Sequence, residues 1–358
     1  MKHLKIINVN CRSVVKNRDR LGVLIETTKP DIIIGTESFL AKGIPTPTEL
    51  SDDYSVERCD RSERHGGVFV ASRKDLLMQR EPDLETNCEL VWCKIESKGT
   101  KTVHVGSFYR PDVSDTTSLS ELSTSLSRIP DTHTIILGGD FNLPGCDWKA
   151  GQVSSGSKFP DQHQKAFDLT HDFGLTQHIT ETTRVDPFHG TANTLDLIMT
   201  NRPNSVISST VLPGISDHDA PQIEIDVQPV RTAQNPRQIP NYKKADWDGF
   251  KTYMRMRGDS ITNSPPDSDT EELWNSFRDS LLEGINVFIP HKTAKARRGL
   301  PYISREIRQL IRKRDRLYDK IKKTSKNVYL HHIVAAQKQR YKELKHKVQK
   351  RIRQAYSY

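Results

Sequence analysis

The chain has 358 residues, 34% of them hydrophobic, and a formal net charge of +9. That length suits two domains, or one large domain with an appendage. It has no run of about 18 apolar residues to cross a membrane, and its first ten residues lack a signal-peptide core. The five cysteines (11, 59, 88, 93, 146) are odd in number and show no CxxC spacing. A disulfide framework and a structural zinc site are therefore not expected, and a reducing, intracellular setting is expected.

Taken in chain order, the first 228 residues alternate strand-like and helix-like patterns. Strands are expected at 4–10, 31–37, 67–72, 90–96, 102–109, 134–138, 194–199 and 222–227. Each is short, rich in Val, Ile and Leu, and bounded by Gly, Pro, Asp or Asn. Helices are expected at 18–28, 118–127 and 162–173. This mixture predicts an α/β fold with substantial sheet, over residues 1–228. Residues 228–240 turn polar, with prolines 229, 236 and 240, and open a linker running to residue 300. Within the linker, Leu273, Trp274, Phe277, Leu281 and Leu282 fit one helix face, and SPPDSD (264–269) interrupts the segment before them.

The tail, 301–358, is different in kind. From residue 291 onward there are 22 Lys+Arg against 4 Asp+Glu, a net of +18, whereas residues 1–290 hold 32 against 41, a net of −9. An acidic body with a strongly basic tail points to an anionic partner, nucleic acid first. Apolar residues recur at three- and four-residue steps (303, 307, 310, 311, 317, 318, 321, then 341, 344, 348, 352), with TSKN (324–327) between the two sets. An antiparallel basic helical hairpin explains both sets, and one continuous helix is the competing reading. Arg312, Lys313, Arg314 and Arg316 are the expected phosphate contacts on it. Clusters such as 295–298 and 312–316 also read as import signals.

The chemistry lies at the strand ends. Asn8 and Asn10 close the first strand, Thr36 and Glu37 the second, and Tyr109 another. Asp140 and Asn142 follow IILGG, Asp196 sits in NTLDLIMTN, and Asp217 and His218 precede the last strand. Singly, each has a plain reading as a turn, cap or half-buried residue. Together, carboxylates, carboxamides, a phenol and an imidazole can converge at one rim, suiting a hard divalent cation with oxygen ligands and acid–base groups. GGDFN is the most specific of these, because two glycines let the backbone approach closely and deliver Asp and Asn together.

The ordered motifs NVNCRS (8–13), GTES (35–38), FYRP (108–111), GGDFN (138–142), TLDLIMTN (194–201) and SDHDAP (216–221) resemble the endonuclease/exonuclease/phosphatase family. Within that family they look most like the endonuclease domain of LINE-type, non-LTR retrotransposon polyproteins. The tail is similar to the linker that precedes the reverse transcriptase in such polyproteins. The resemblance implies a four-layered α/β sandwich of DNase I-like type, with two packed sheets flanked by helices, plus a basic α-helical C-terminal extension. It also implies hydrolysis of a phosphodiester. Glu37 and Asn10 then hold Mg2+, with Mn2+ as the alternative ion, and Asp217 lies behind them or holds a second metal. His218 is held by Asp196, Asp140 handles a proton, and Asn142 and Tyr109 donate to phosphate oxygens. Thr183 is a weaker phosphate contact by alignment. Asn193 stands where abasic-site repair enzymes of the family carry Trp, which argues against an abasic-sugar pocket.

The expected function is a metal-dependent endonuclease. It would nick one DNA strand and leave a 3′-hydroxyl and a 5′-phosphate for target-primed reverse transcription. DNA is the expected partner, with RNA through the tail, no membrane, a nuclear location, and a reverse transcriptase downstream. No YxDD signature occurs, so an endonuclease-plus-linker fragment or a truncated copy is expected. Loops 42–47, 147–159 and 184–192 are candidates to touch DNA. Removing 300–358 is expected to weaken DNA binding and leave the chemistry intact. Two alternatives remain open: a phosphatase of the same fold acting on inositol phosphates or lipids, and a non-catalytic nucleic-acid-binding relic.

Overall fold

A computed structural model describes residues 3–61, 65–98, 102–186, 190–232, 238–265, 268–293, 300, 302–325 and 330–356. The chain forms two compact units, Met1–Thr232 with Gly299–Tyr358, and Ala233–Arg298.

In the larger unit the chain builds one sheet, crosses to a second, and returns to the first. The opening strands are β1 (Leu4–Asn10), β2 (Ile32–Thr36), β3 (Tyr54–Cys59) and β4 (Val68–Arg73). The second sheet takes β5 (Met78–Arg80), β6 (Glu89–Ile95), β7 (Val103–Tyr109), β8 (Thr134–Asp140), β9 (Thr176–Gln177) and β10 (Asp196–Thr200). The chain returns as β11 (Val206–Leu212) and β12 (Ala220–Ile225). The strand orders are β11-β12-β1-β2-β4-β3 and β9-β10-β8-β7-β6-β5. Each sheet is mixed, with one parallel pair at its centre, β1 with β2 and β7 with β8. The short helices are α1 (Arg18–Thr28), α2 (Thr48–Ser51), α3 (Ser118–Leu126) and α4 (Pro160–Asp172).

The two-residue period of a strand sends alternate side chains to opposite faces, and here both faces are buried. Ile6, Ile34, Val70, Val91, Val105, Ile136, Ile198 and Ile223 fill the space between the sheets. Trp92, Phe108, Leu137 and Leu197 point outward onto Leu119 and Leu122 of α3 and Ala166 and Leu169 of α4. Ile7, Val9, Ile33 and Phe69 do the same on the other sheet, against Leu21 and Leu24 of α1 and Leu50 of α2. The result is the expected helix–sheet–sheet–helix sandwich.

The basic tail forms α7 (Arg305–Ser325) and α8 (His331–Tyr356), α5 and α6 being the helices of the smaller unit described below. The pair is antiparallel: Glu306 faces Arg351, and the Tyr318 and Tyr341 rings lie 5.3 Å apart. A continuous helix is therefore set aside. The turn expected at 324–327 runs into residues outside the described ones. The apolar stripe does more than close the hairpin. Ile303, Ile307, Ile311, Val348 and Ile352 cluster with Val23 on the outer face of α1. The tail is thus a further layer on the sandwich, held by buried aliphatic surface.

In the smaller unit, Gln238–Pro240 pairs antiparallel with His291–Thr293. Between them lie α5 (Trp247–Thr262) and α6 (Thr270–Phe288). Asp246 and Asp269 cap them, accepting from the amides of Gly249 and Glu271. Only the α6 face was legible as a helix; the break expected at 264–269 does separate the two helices, with 266–267 outside the described residues. Linker residues 233–237 and the basic cluster 295–298 also lie outside them.

Candidate active site

Strand register brings the chemistry together. Asn10 pairs with Thr36, so Glu37 follows at the end of β2. Tyr109 pairs with Asp140, and Asp140 with Asp196, so three strand ends of the second sheet meet. Two buried side chains tie the sheets at this end. Asn8 Nδ2 donates to the carbonyls of Gly139 (2.9 Å) and Leu197 (3.2 Å), and Ser107 Oγ donates to the Gly35 carbonyl (3.0 Å).

The backbone is strained where the site is built. Gly139 has φ +149°, and a Cβ there would lie 1.8 Å from the Phe108 carbonyl oxygen, so the second glycine of GGDFN is required. Glu37 (φ 48°) and Asn142 (φ 52°) both occupy the left-handed region, which is uncommon for residues with a Cβ. Arg110 of FYRP is fully buried and donates to the carbonyls of Asn142 (3.1 Å) and Val113 (3.0 Å), fixing the turn that carries Asn142.

Asn10 sits between the acids: its Nδ2 donates to Glu37 Oε1 (2.8 Å) and Asp140 Oδ2 (2.9 Å). The Asn142 amide donates to Asp140 Oδ1 (3.1 Å). His218 Nδ1 lies 2.8 Å from Asp196 Oδ2 and 3.8 Å from Asp140 Oδ2, and all three residues are buried. Burial works against a charged His218, but Asp196, Asp140 and Asp217 outweigh it and push the imidazole up to about 9. Burial, with the neighbouring Asp196 and Glu37, pushes Asp140 up to about 7. Burial and the charges of Glu37 and Asp140 also raise Tyr109, so its phenol stays protonated and can donate.

Ligand atoms of Glu37, Asp140 and His218 all lie within 4.8 Å of one another. Two carboxylates, an imidazole and an adjacent carboxamide form a donor set that fits a hard divalent cation. Asn10 can offer its oxygen to the same space, since the two ends of a carboxamide are nearly isosteric.

The remaining expected residues are placed differently. Asp217 lies outside that cluster: Arg12 Nη1 is 2.9 Å from Oδ1 and Arg184 Nη2 is 3.2 Å from Oδ2. Burial opposes its ionisation, but His218, Arg12 and Arg184 outweigh this and hold its carboxyl below the ordinary range. Thr183 is buried, and its Oγ1 accepts from the amides of Leu195 and Asp196, both at 3.0 Å. In this arrangement it supports the Asp196 strand end. On α7, Arg312, Lys313 and Arg316 are exposed. Arg314 is turned inward, its side chain 13% exposed and 2.7 Å from Asp315.

Arg12, Arg184 and Glu89 were not foreseen. Arg12 lies inside NVNCRS, and Arg184, in a two-residue strand paired with Ala192–Asn193, meets His218 through an isolated bridge. Glu89 opens β6 opposite Tyr109, accepts from the Gly67 amide and pairs with Arg61 at 3.4 Å. Its position before an apolar strand was the one available signal. A cavity of about 300 Å³ lined by Asp147, Trp148, Ser154, Thr180 and Asn193, among others, lies between the loops that follow Asn142 and precede Asp196. Loop 184–192 is described except for 187–189.

This fold and strand-end site define a DNase I-like α/β sandwich. A family model described as endonuclease-reverse transcriptase matches residues 103–221, and the resemblance read from the motifs is to that group. Three solved structures share the fold. The AP endonuclease LMAP from Leishmania major is 14% identical with a TM-score of 0.52, covering 63% of this chain and 88% of that one. The endonuclease domain of TRAS1, a telomere-specific non-LTR retrotransposon, is 16% identical with a TM-score of 0.51, covering 63% and 100%. An AP endonuclease from Archaeoglobus fulgidus is 18% identical with a TM-score of 0.50, again covering 63% and 100%. No curated protein matches the chain.

Proposed function

We propose that this protein is a metal-dependent DNA endonuclease that nicks one strand and leaves a 3′-hydroxyl and a 5′-phosphate. The observation that carries the reading is the buried Asp196–His218 pair at 2.8 Å, set beside Asp140 and Glu37 with Asn10 between the two acids. A phosphodiester is anionic, so attack on it needs compensating positive charge and a placed proton acceptor.

Asp196 binds the Nδ1 side of His218, which fixes the ring and leaves Nε2 for the substrate. As an imidazolium, His218 donates to a non-bridging oxygen and offsets the charge that builds there. Asp140, its pKa lifted towards neutrality, takes the proton of the attacking water or returns one to the leaving 3′ oxygen. Asn142 and the protonated Tyr109 donate to the remaining phosphate oxygens. Glu37 and Asn10, with Asp140 beside them, would hold a divalent ion, Mg2+ first and Mn2+ as the alternative. When bound, it supplies Lewis-acid stabilisation of the phosphoryl oxygens. Asp217 orients Arg12 and Arg184 beside the phosphate path instead of serving as a ligand.

The exposed Arg312, Lys313 and Arg316 extend a positive surface for nucleic-acid phosphates, DNA first and RNA second. The cavity at Trp148 and Asn193 fits contact by the loops around it with the strand beside the cut. A free 3′-hydroxyl at the nick is what a downstream reverse transcriptase would extend, and a DNA target places the protein in the nucleus. The test is the chemistry of the ends: a DNA polymerase should extend the nick directly, and ligase should reseal it. Nicks that need phosphatase treatment before extension would overturn the proposed polarity of cleavage.

A further inference from the structure

The sandwich and the hairpin also meet through polar groups, and these groups grip the loop that carries His218 and the segment before Thr183, which supports the Asp196 strand end. Asp219 follows His218 directly. Tyr318 Oη of α7 donates to Asp219 Oδ2 at 2.7 Å. Lys345 Nζ of α8 lies 3.8 Å from Asp219 Oδ1 and donates to the Ser216 carbonyl at 3.4 Å. Lys322 Nζ pairs with Glu181 at 2.5 Å, two residues before Thr183.

Inside the sandwich the same residues reach the site. The Asp219 amide donates to the Thr183 carbonyl at 2.6 Å, and Thr183 Oγ1 accepts from the Asp196 amide. Ser216 Oγ donates to the Asn10 carbonyl at 2.8 Å and accepts from the His218 amide at 3.2 Å. The segment between β11 and β12, residues 213–219, contains neither helix nor strand. Its carboxylate, Asp219, is about a quarter exposed at the side chain and takes donors from both hairpin helices. A charged acceptor that loses such donors loses strong hydrogen bonds, and a small displacement of a catalytic group lowers turnover steeply.

We propose that Tyr318 and Lys345 are positioning residues for the His218 loop, so that the basic hairpin is part of the catalytic unit. They act through Asp219 and Ser216 and touch neither the reacting phosphate nor the metal. Removing 300–358 therefore costs turnover as well as DNA affinity, which replaces the expectation that the chemistry survives the deletion.

The turnover part of this inference rests on the proposed endonuclease activity; the structural part does not. Full-length Tyr318→Phe, Lys345→Met, the double variant and the conservative Lys345→Arg are compared in two assays. Amide exchange over 213–219 is read in metal-free protein, with protection around Ile307 and Ile311 reporting that the hairpin is docked. Nicking of duplex DNA gives kcat and KM. The expected result for the double variant is exchange over 213–219 faster by about tenfold and kcat lower by about tenfold or more. KM stays within about twofold, and Lys345→Arg stays near wild type. If the double variant undocks the hairpin, Tyr318→Phe, which removes one hydroxyl, decides by the same readouts. Unchanged exchange in a docked variant overturns the proposal, and so does faster exchange with unchanged kcat. If wild type nicks no DNA, the endonuclease reading fails, and faster exchange in the variants still supports the grip on the loop.

Discussion

Gly139→Ala joins fold and site in one atom. The added Cβ would lie 1.8 Å from the Phe108 carbonyl oxygen, and the residue keeps φ +149°. Contacts of this kind hardly occur below about 3 Å, so β8 must move from β7 by more than an ångström. Ladder hydrogen bonds of normal length do not survive such a shift. Losing two of them costs about 1–3 kcal/mol, and an L-residue at that φ adds about 1–3 kcal/mol. The expected loss is therefore about 2–6 kcal/mol, a large part of the 5–15 kcal/mol typical of whole domains. Because Asp140 is the next residue and pairs with both Tyr109 and Asp196, the same shift should abolish nicking. Urea unfolding followed by circular dichroism measures the first effect and plasmid nicking the second. A Gly139→Ala protein within about 1 kcal/mol of wild type, with normal activity, would refute this account of the GGDFN turn.

Two further outcomes follow from the charges. His218 is raised from an ordinary 6.5 to about 9, so its contribution to stability is complete below pH 6.5 and is lost as pH rises to about 9. In EDTA, the urea midpoint of wild type should fall across that window, and Asp196→Asn should flatten the fall; equal slopes in the two proteins would remove the Asp196–His218 pair as its source. On the hairpin, alanine at exposed Arg312, Lys313 and Arg316 should reduce the salt dependence of DNA binding by about 2–3 in log–log slope. Arg314→Ala, already paired with Asp315, should leave that slope alone. Titrating binding from low to moderate salt distinguishes these variants.

Much of the sandwich was legible because its central strands are buried on both faces and read as apolar runs, LKIINVN and TIILGGD among them. The strands that escaped notice lie at sheet edges. YSVERC and VISSTVL form β3 and β11, each with a mostly exposed or half-buried face, so charge and serine break the pattern. The strand-end residues converged largely as expected because register, not loop geometry, sets Asn10, Tyr109, Asp140 and Asp196. Asp217 and Thr183 sit on loops, and their partners Arg12, Arg184 and the Asp196 amide come from distant sequence. The tail shows the same limit. Its three- and four-residue stripe announced a hairpin, but a stripe does not name the surface it covers, and Val23 of α1 carries no mark of being that surface.

The most direct test of the central claim is nicking of supercoiled plasmid by the full chain with Mg2+, with EDTA, and with Asp140→Asn, His218→Ala and Glu37→Gln variants checked for folding. Open circles should form with Mg2+ alone, and each variant should lose at least about a hundredfold in rate. Nicking that persists in EDTA, or in all three folded variants, would contradict the assignment of the Glu37–Asp140–His218 cluster as the catalytic centre.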